Sequence, residues 1–395
     1  MKIEKLIEAN AISRNTQIVD IQSFILKNQK NYEADFLRLI ADQWLARQKA
    51  KLKLPSWFTQ ENIILPPPLS VEQASSEITA HYKAKVFAAT FGNEHCIDLT
   101  GGMGLDSWAL SKLMKSVIYI EQSKNLAQIA LYNFDILGQK NIEVINENSE
   151  VFIKSSTHAK TNYYIDPHRR DSEKNKVFKI EDCEPNLLII KDILKNYMVK
   201  FSPMLDIKLA LEQLQTITEV HVVSVENEVK ELLFISKNEL SETKIICTNF
   251  LSNKSSQTFE FDYKTEENIN ITYSLPNNYI YEPNASIMKA GAFKSIADQL
   301  NISKIAPNSH LYTSESLVNN FPGRSFSCEA VCKFDKREIL SKLPTNKANI
   351  STRNFPMKPE EIKKKLGLHD GGEYYLFATE SIEKQKNVLI CKKII

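Results

Sequence analysis

Ile97-Asp98-Leu99-Thr100-Gly101-Gly102-Met103-Gly104-Leu105-Asp106 is the stretch on which the reading of this 395-residue chain turns. A short apolar strand runs into a glycine-dense turn, and an amphipathic helix begins at once. The pattern repeats on the C-terminal side. HCIDLT (95–100), SVIYIE (116–121), IEVINE (142–147) and NYYIDP (162–167) read as strands, while GLDSWALSKLM and SKNLAQIALYNFDILG, the latter ended by Gly138, read as helices. On the N-terminal side, SSEITAHYKAKVFAATF is a helix whose first turn Ser76 caps, with Thr79 and Tyr82 following. Alternating strand and helix units predict a parallel, doubly wound sheet. The later strand-like runs ITEVHVVSV, KELLFIS and KIICTNF add an antiparallel edge.

Outside this core the pattern changes. The first fifty residues are helical, with Phe36, Leu37, Ile40, Trp44 and Leu45 at helical spacing. The basic run Arg47, Lys49, Lys51, Lys53 spreads round the cylinder and is expected to be a solvated end. Pro66, Pro67 and Pro68 break the helix and predict a rigid extended connection, with a boundary near residue 70. One helix is expected from about Ala285 to Leu300. The last seventy residues alternate strand, helix, strand, helix and two strands, a compact α+β module. The domain organisation predicted is 1–70 helical, 71–270 the α/β core, 271–322 a small segment and 323–395 the terminal module.

Composition bounds the function classes. With 43% hydrophobic and 25% charged residues and few Gly (10) or Pro (14), the chain is an ordinary folded protein, not a disordered or fibrous one. No apolar run is long enough to span a bilayer, and the acidic residues of MKIEKLIEANAIS do not suit a signal peptide, so a cytoplasmic protein without membrane contact is expected. Six dispersed cysteines argue against a disulfide scaffold. Cys328 and Cys332, alternating along SFSCEAVCKF, are expected to point to one face as structural thiols, with no metal site. The net charge of +2 hides an uneven distribution: +3 over residues 1–70, −7 over 71–323 and +6 over 324–395. A basic terminal module is compatible with a polyanionic partner, although charge alone does not establish one.

The chemistry sits around the glycines. Such a loop lets the backbone approach a bound cofactor over the carboxyl ends of the strands. Ser107 leaves the dinucleotide fingerprint G-x-G-x-x-G/A incomplete. Asp98, just before the glycines, would repel a pyrophosphate but suits a sulfonium cofactor with a free amino group. Glu121 ends the next strand, 17 residues after Gly104, where a carboxylate accepts from two ribose hydroxyls. Together they favour S-adenosyl-L-methionine over NAD. In YYIDPHRR (163–170), Asp166 ends a strand on the same rim and would orient or deprotonate a nucleophile. Arg169 and Arg170 suit a substrate phosphate, whereas His168 is expected to be exposed.

These residues resemble class I S-adenosylmethionine-dependent methyltransferases, and more narrowly bacterial members with a C-terminal THUMP-like domain. The likeness is carried by SSEITAHYKA (75–84), IDLTGGMGLDSWALSK (97–112), YIEQ (119–122), YYIDPHRRD (163–171), YIYEPNASIMKAGAF (279–293) and GRSFSCEAV onward. It implies a Rossmann-like sheet, a small ferredoxin-like segment at 271–322, and a THUMP-like RNA-binding module at 323–395. It further implies that Asp98, Thr100, Gly101, Gly102, Gly104, Glu121, Asn148 and Asp166 hold the cofactor, Asn148 standing near the adenine where many relatives have Asp. Asp166, Pro167 and Arg169 would form the catalytic group. Asp166-Pro167 matches half of the [N/D]-Pro-Pro-aromatic motif of amino-group methyltransferases, and Tyr163 or Tyr164 is left to supply a ring. The expected activity is methylation of a structured RNA, tRNA or rRNA. A protein or metabolite acceptor, or a cofactor-binding RNA-associated protein without turnover, stays open.

Overall fold

A computed structural model describes residues 3–16, 18–155, 161–169, 179–237 and 241–394. The chain forms two compact units, Met1–Ile217 with Phe234–Leu240, and Thr218–Leu233 with Ser241–Ile395.

In the first unit, five parallel strands lie in the order Asn196–Phe201, β4 (Asn162–Ile165), β1 (His95–Asp98), β2 (Ser116–Ile120) and β3 (Ile142–Ile145). The chain lays β1, β2 and β3 in one direction, then returns to place β4 on the other side of β1. That reversal opens a crevice between the carboxyl ends of β1 and β4, where open α/β sheets bind ligands. Asp98 pairs with Tyr164 across it, and the Leu99 N–H donates to the Tyr164 carbonyl at 3.0 Å. The glycine loop and the loop beginning at Asp166 therefore meet because of strand order, although 60-odd residues separate them.

The preceding helix, Glu77–Phe91, starts where its sequence says it should. Ser76 accepts from the Thr79 N–H, and the Thr79 hydroxyl returns an acceptor to the Ser76 N–H. Glu77 turns backward and accepts from the Ser56 and Trp57 N–H groups and the Ser56 hydroxyl, closing the start of helix Pro55–Thr59.

Two expectations for the N-terminal segment are corrected. The basic run is a solvated end only in part: Lys49 and Lys51 are exposed, but Arg47 is buried, donating to the Phe58 carbonyl at 2.8 Å, with its guanidinium 5.2 Å from the Phe58 ring. Lys49 pairs with Glu72, and Lys53 donates to the Val71 and Glu72 carbonyls. The run ends the long helix Ala34–Lys53 and fastens it to the segment beyond. Nor does the proline triplet stay extended throughout. Pro68 opens a short helix, Pro68–Gln73, because proline has no N–H to lose at a first helical position.

The residues just before Pro68 are held by two side-chain amides that act as substitute strands. Gln43 exchanges both hydrogen bonds with the Leu65 backbone, at 2.6 and 3.1 Å. Asn133, fully buried on helix Lys124–Ile136, does the same with Ile64, at 2.7 and 3.0 Å.

In the second unit, strand Lys244–Phe250 runs parallel to Ile217–Val225 and antiparallel to Ser256–Phe261, the expected antiparallel edge. A separate seven-stranded sheet has the order Ser303–Lys304, Tyr312–Ser314, Tyr279–Pro283, Gly323–Lys333, Lys386–Lys393, Tyr374–Glu380, Asn349–Arg353. All its neighbours are antiparallel except the last pair.

The single helix expected over 285–300 is two, Ala285–Ala290 and Ser295–Gln299. Gly291, at φ +82°, ends the first in the left-handed cap that glycine accepts without strain. The Glu266 carboxylate then accepts the N–H groups of Phe293, Lys294 and Ser295 and starts the second.

Cys328 and Cys332 also depart from expectation, lying on opposite faces of the sheet. Cys328 packs with Phe326, Phe377 and Leu389, and Cys332 with Leu376, Val388 and Ile390. A bulge between Cys328 and Ala330 inserts one residue and inverts every later side chain of the strand.

The amide clamp at Asn133 is a test of how the first unit is fastened. Asn133→Ala strands the Ile64 N–H and carbonyl in a dry interior, and urea unfolding should show a loss of roughly 2–4 kcal/mol. A loss below about half a kcal/mol would mean that water replaces the amide and the clamp is dispensable.

Candidate functional site

Strand β1 delivers Asp98 to the crevice with its carboxylate buried, 1% exposed. One oxygen accepts from the Thr100 N–H at 3.0 Å and the other from the Ser107 hydroxyl at 2.6 Å. Both donors are neutral, and no cation pairs with Asp98 among the described residues. Burial pushes its carboxyl up to about 7, with Asp106 and Asp166 adding to the rise against those hydrogen bonds.

The three glycines do different work. At Gly101 a Cβ would fall 2.2 Å from the Tyr119 ring, and at Gly104, with φ +86°, it would meet Phe134 at 2.7 Å. Both are glycine because the loop packs tightly on β2 and on helix Lys124–Ile136. Gly102 has φ +55°, and a Cβ there would find nothing nearer than the Thr100 carbonyl at 3.7 Å. It is the glycine beside open space. The Tyr119 hydroxyl donates to its carbonyl at 2.6 Å. Glu121, just past β2, accepts from the Gly102 N–H at 2.9 Å through one oxygen and from the Ser123 N–H at 2.6 Å through the other. Each carboxylate oxygen keeps a second lone pair for a hydroxyl.

Thr100 joins the two sides of the crevice, its hydroxyl oxygen accepting the Asp166 N–H at 2.6 Å. The Asp166 carboxylate, just beyond β4, is paired with Lys200 from strand Asn196–Phe201. Pro167 is buried, and the His168 side chain is exposed, 3.9 Å from Glu184. The backbone of Arg169 pairs with Cys183, but its side chain and all of Arg170 lie outside the described residues.

Asn148 is engaged elsewhere. Its carbonyl oxygen accepts from the N–H groups of Glu150 and Val151 at the start of helix Ser149–Ser155, and its amide donates to Gln122. The oxygen that would accept an adenine amino proton is therefore already doubly bonded. Tyr163 and Tyr164 are buried, so neither ring is available to stack on a substrate base.

The sequence reading missed the group beneath the loop. Asp106 accepts the Tyr164 hydroxyl at 2.7 Å and the Ser75 hydroxyl at 3.3 Å, and lies 2.9 Å from the Lys83 ammonium, which also bonds Ser75. Burial would raise the Asp106 carboxyl, but Lys83, with Lys200 behind it, holds it below the ordinary carboxylate value. Ser75 and Lys83 fall in the SSEITAHYKA stretch, where a lysine on the apolar side of a helix was the available signal. Lys200 had one too: a lone charge within the apolar strand NYMVKF. The crevice thus holds four carboxyl groups, Asp98, Asp106, Glu121 and Asp166, against two lysines, Lys83 and Lys200. That acidic excess favours a ligand carrying positive charge.

A ferredoxin-like domain model matches residues 279–322, and a THUMP domain-like model matches residues 323–393. No curated protein matches the chain. Among solved structures, a protein from Porphyromonas gingivalis W83, provisionally described as a methyltransferase, is 30% identical, with both chains covered in full and a TM-score of 0.90. An rRNA methylase from Streptococcus thermophilus is 16% identical over 41% of this chain and 95% of its own, at a TM-score of 0.30. A protein from Streptococcus mutans, also provisionally a methyltransferase and solved in complex with SAH, is 14% identical over 39% and 96%, at 0.29. Scores of 0.3 carry no weight for fold or activity. The full-length match does: this chain belongs to the family of the Porphyromonas gingivalis protein, with a class I methyltransferase fold and a THUMP-like module at its C-terminus.

Proposed function

We propose that the chain is an S-adenosyl-L-methionine-dependent methyltransferase whose acceptor is a structured RNA, tRNA or rRNA. The observation that carries the cofactor is Asp98: a buried carboxylate served by neutral donors only, in a crevice where acidic groups outnumber lysines. S-adenosylmethionine has a sulfonium, an amino group and a carboxylate, hence one net positive charge, and no phosphate for Asp98 to repel. Asp98 would take the amino group, the open side of Gly102 would admit the methionine portion, and Glu121 would accept the ribose hydroxyls while keeping its bond to the Gly102 N–H. The adenine contact falls to groups other than the Asn148 oxygen, which is occupied.

When bound, the cofactor supplies an electrophilic methyl group. The protein's part is position and charge. Thr100 fixes Asp166 through its backbone N–H, and Lys200 fixes its carboxylate. An acceptor amino group could donate one hydrogen to the remaining Asp166 lone pairs, leaving its nitrogen pair aimed along the crevice. The RNA reading rests on the match of residues 323–393 to the THUMP-like domain and on the +6 charge of residues 324–395. RNA held this way is bound through phosphate charge and shape, so its affinity should fall steeply with salt.

The direct test supplies methyl-labelled S-adenosylmethionine and total RNA from a strain lacking this gene, with RNase-treated and protein-only controls. RNase-sensitive label establishes RNA methylation, and nucleoside analysis then names the base. Label in protein or small molecules instead would transfer the reading to another acceptor.

Two substitutions separate binding from chemistry. Asp166→Ala should lower turnover by more than about tenfold while cofactor affinity, by calorimetry, barely changes. Equal losses would remove its proposed catalytic role. Gly102→Val should abolish cofactor binding by filling the open side, beyond the ~1–2 kcal/mol strain of a branched residue at positive φ.

Asp98 yields a pH dependence of definite sign. Its folded-state value, about 7, lies above the ordinary 3.8, so the folded protein holds a proton that the unfolded chain releases. Stability of the ligand-free protein should therefore fall as pH rises from about 4 through about 7, by an amount on the order of 4 kcal/mol for this group. Asp98→Asn should flatten that slope, stabilise the ligand-free protein at pH 8 and lose cofactor affinity. A slope unchanged in the variant would place the titration on another group.

A further inference from the structure

Strands Gly323–Lys333 and Lys386–Lys393 run antiparallel, and their register sets Cys328 directly opposite Cys391. The Cys328 N–H is donated the other way, to the Asn278 carbonyl at 2.8 Å. In an antiparallel ladder the N–H and C=O of one residue point to the same neighbour. Toward Lys386–Lys393, Cys328 and Cys391 are therefore a non-hydrogen-bonded pair, the closer kind, with Cα atoms about 4.5 Å apart. That spacing falls inside the roughly 4.4–6.8 Å window over which a disulfide closes. The side chains share one face, packing in the cluster of Ile280, Phe326, Phe377 and Leu389. The bulge after Cys328 turns Cys332 to the opposite face, which leaves Cys391 as the cross-strand thiol of Cys328.

The two thiols are chemically unequal. Both are free. A hydrogen bond from the Cys391 thiol holds the Cys328 thiol below its ordinary value, outweighing burial. Burial pushes Cys391 well above it. Cys328 is the more accessible of the two, and Cys391 is fully buried. Cys96 and Cys247 are also buried, with thiols pushed up by burial, which makes them poor nucleophiles.

We propose that Cys328 and Cys391 are a redox pair that closes a reversible disulfide when the protein meets a hydroperoxide. The Cys328 thiolate attacks the outer oxygen, the O–O bond breaks, and the alcohol or water leaves with a proton, giving a sulfenic acid. The Cys391 thiol then attacks that sulfur, its proton joins the departing hydroxyl as water, and the S–S bond forms. Two electrons pass from the thiols to the peroxide. The bond ties the last strand of the chain to the strand that opens the THUMP-like module, closing a loop that contains Tyr374–Glu380 and Asn349–Arg353.

The test uses the full-length reduced protein, one equivalent and then an excess of hydrogen peroxide, and proteolysis with mass spectrometry under non-reducing conditions. The expected product is a Cys328–Cys391 cross-linked peptide two hydrogens lighter than its parts, reversed by dithiothreitol, with a higher urea midpoint for the oxidised protein. Cys391→Ser should instead accumulate a dimedone-reactive sulfenic acid at Cys328, and Cys391→Ala provides the same readout if the serine perturbs the core. The proposal is overturned if wild-type Cys328 becomes sulfenic or sulfinic acid without cross-linking, or if it bonds to another cysteine. It is equally overturned if both thiols survive peroxide that oxidises the urea-unfolded chain.

Discussion

An anion buried without a cation is the constraint around which the first unit is organised. Removing a carboxylate from water is expensive, and neutral hydrogen bonds recover only part of the cost. Asp98 offsets it with the Thr100 N–H and the Ser107 hydroxyl, and its carboxyl stands near 7 as a result. A residue kept only for stability would be better replaced by its amide. Keeping the acid makes sense when something positive arrives to meet it, and the strand order puts it where open α/β sheets receive ligands.

Asp106 shows the contrast eight residues on. It too is mostly shielded from water, in the first turn of helix Leu105–Ser111, yet Lys83, Ser75 and Tyr164 converge on it. The result is a joint between three elements: the helix before β1, the glycine loop and β4. Tyr164 stands two residues before Asp166, so the same joint fixes where the Asp166–Lys200 pair stands relative to Gly102. One aspartate is saturated and locates the loop. The other is left short of charge and faces the crevice.

Periodicity and turn chemistry made most of this architecture legible in the sequence. The four strands around the glycines, the Ser76 cap, the Gly138 stop and the antiparallel edge all have local causes. What was not legible depends on partners distant in the chain. Lys200 is a charge in an apolar strand until β4 brings Asp166 beside it. Asn148 reads equally as a ligand for a base or as a helix cap, and its bonds to the Glu150 and Val151 N–H groups emerge only once the backbone after it is placed. A proline triplet reads as a breaker, yet a proline also begins helices. At Cys328–Cys332, one inserted residue inverted a face assignment that alternation alone had made.

Glu282 carries the same logic of charge into the second unit. It is buried within strand Tyr279–Pro283, and its two oxygens are taken by Arg324 and Arg353, each side chain about a third exposed. Two cations on one anion leave a positive surplus, the inverse of the surplus at Asp98. Arg324 also lies over the Phe326 and Tyr375 rings, at 5.6 and 5.8 Å, so it is held by stacking as well as by charge. A buried carboxylate that orients two partly exposed guanidinium groups favours an anion at its surface, as the one in the crevice favours a cation. Those preferences match the partners proposed for the two units, phosphate-bearing RNA for the second and a sulfonium cofactor for the first.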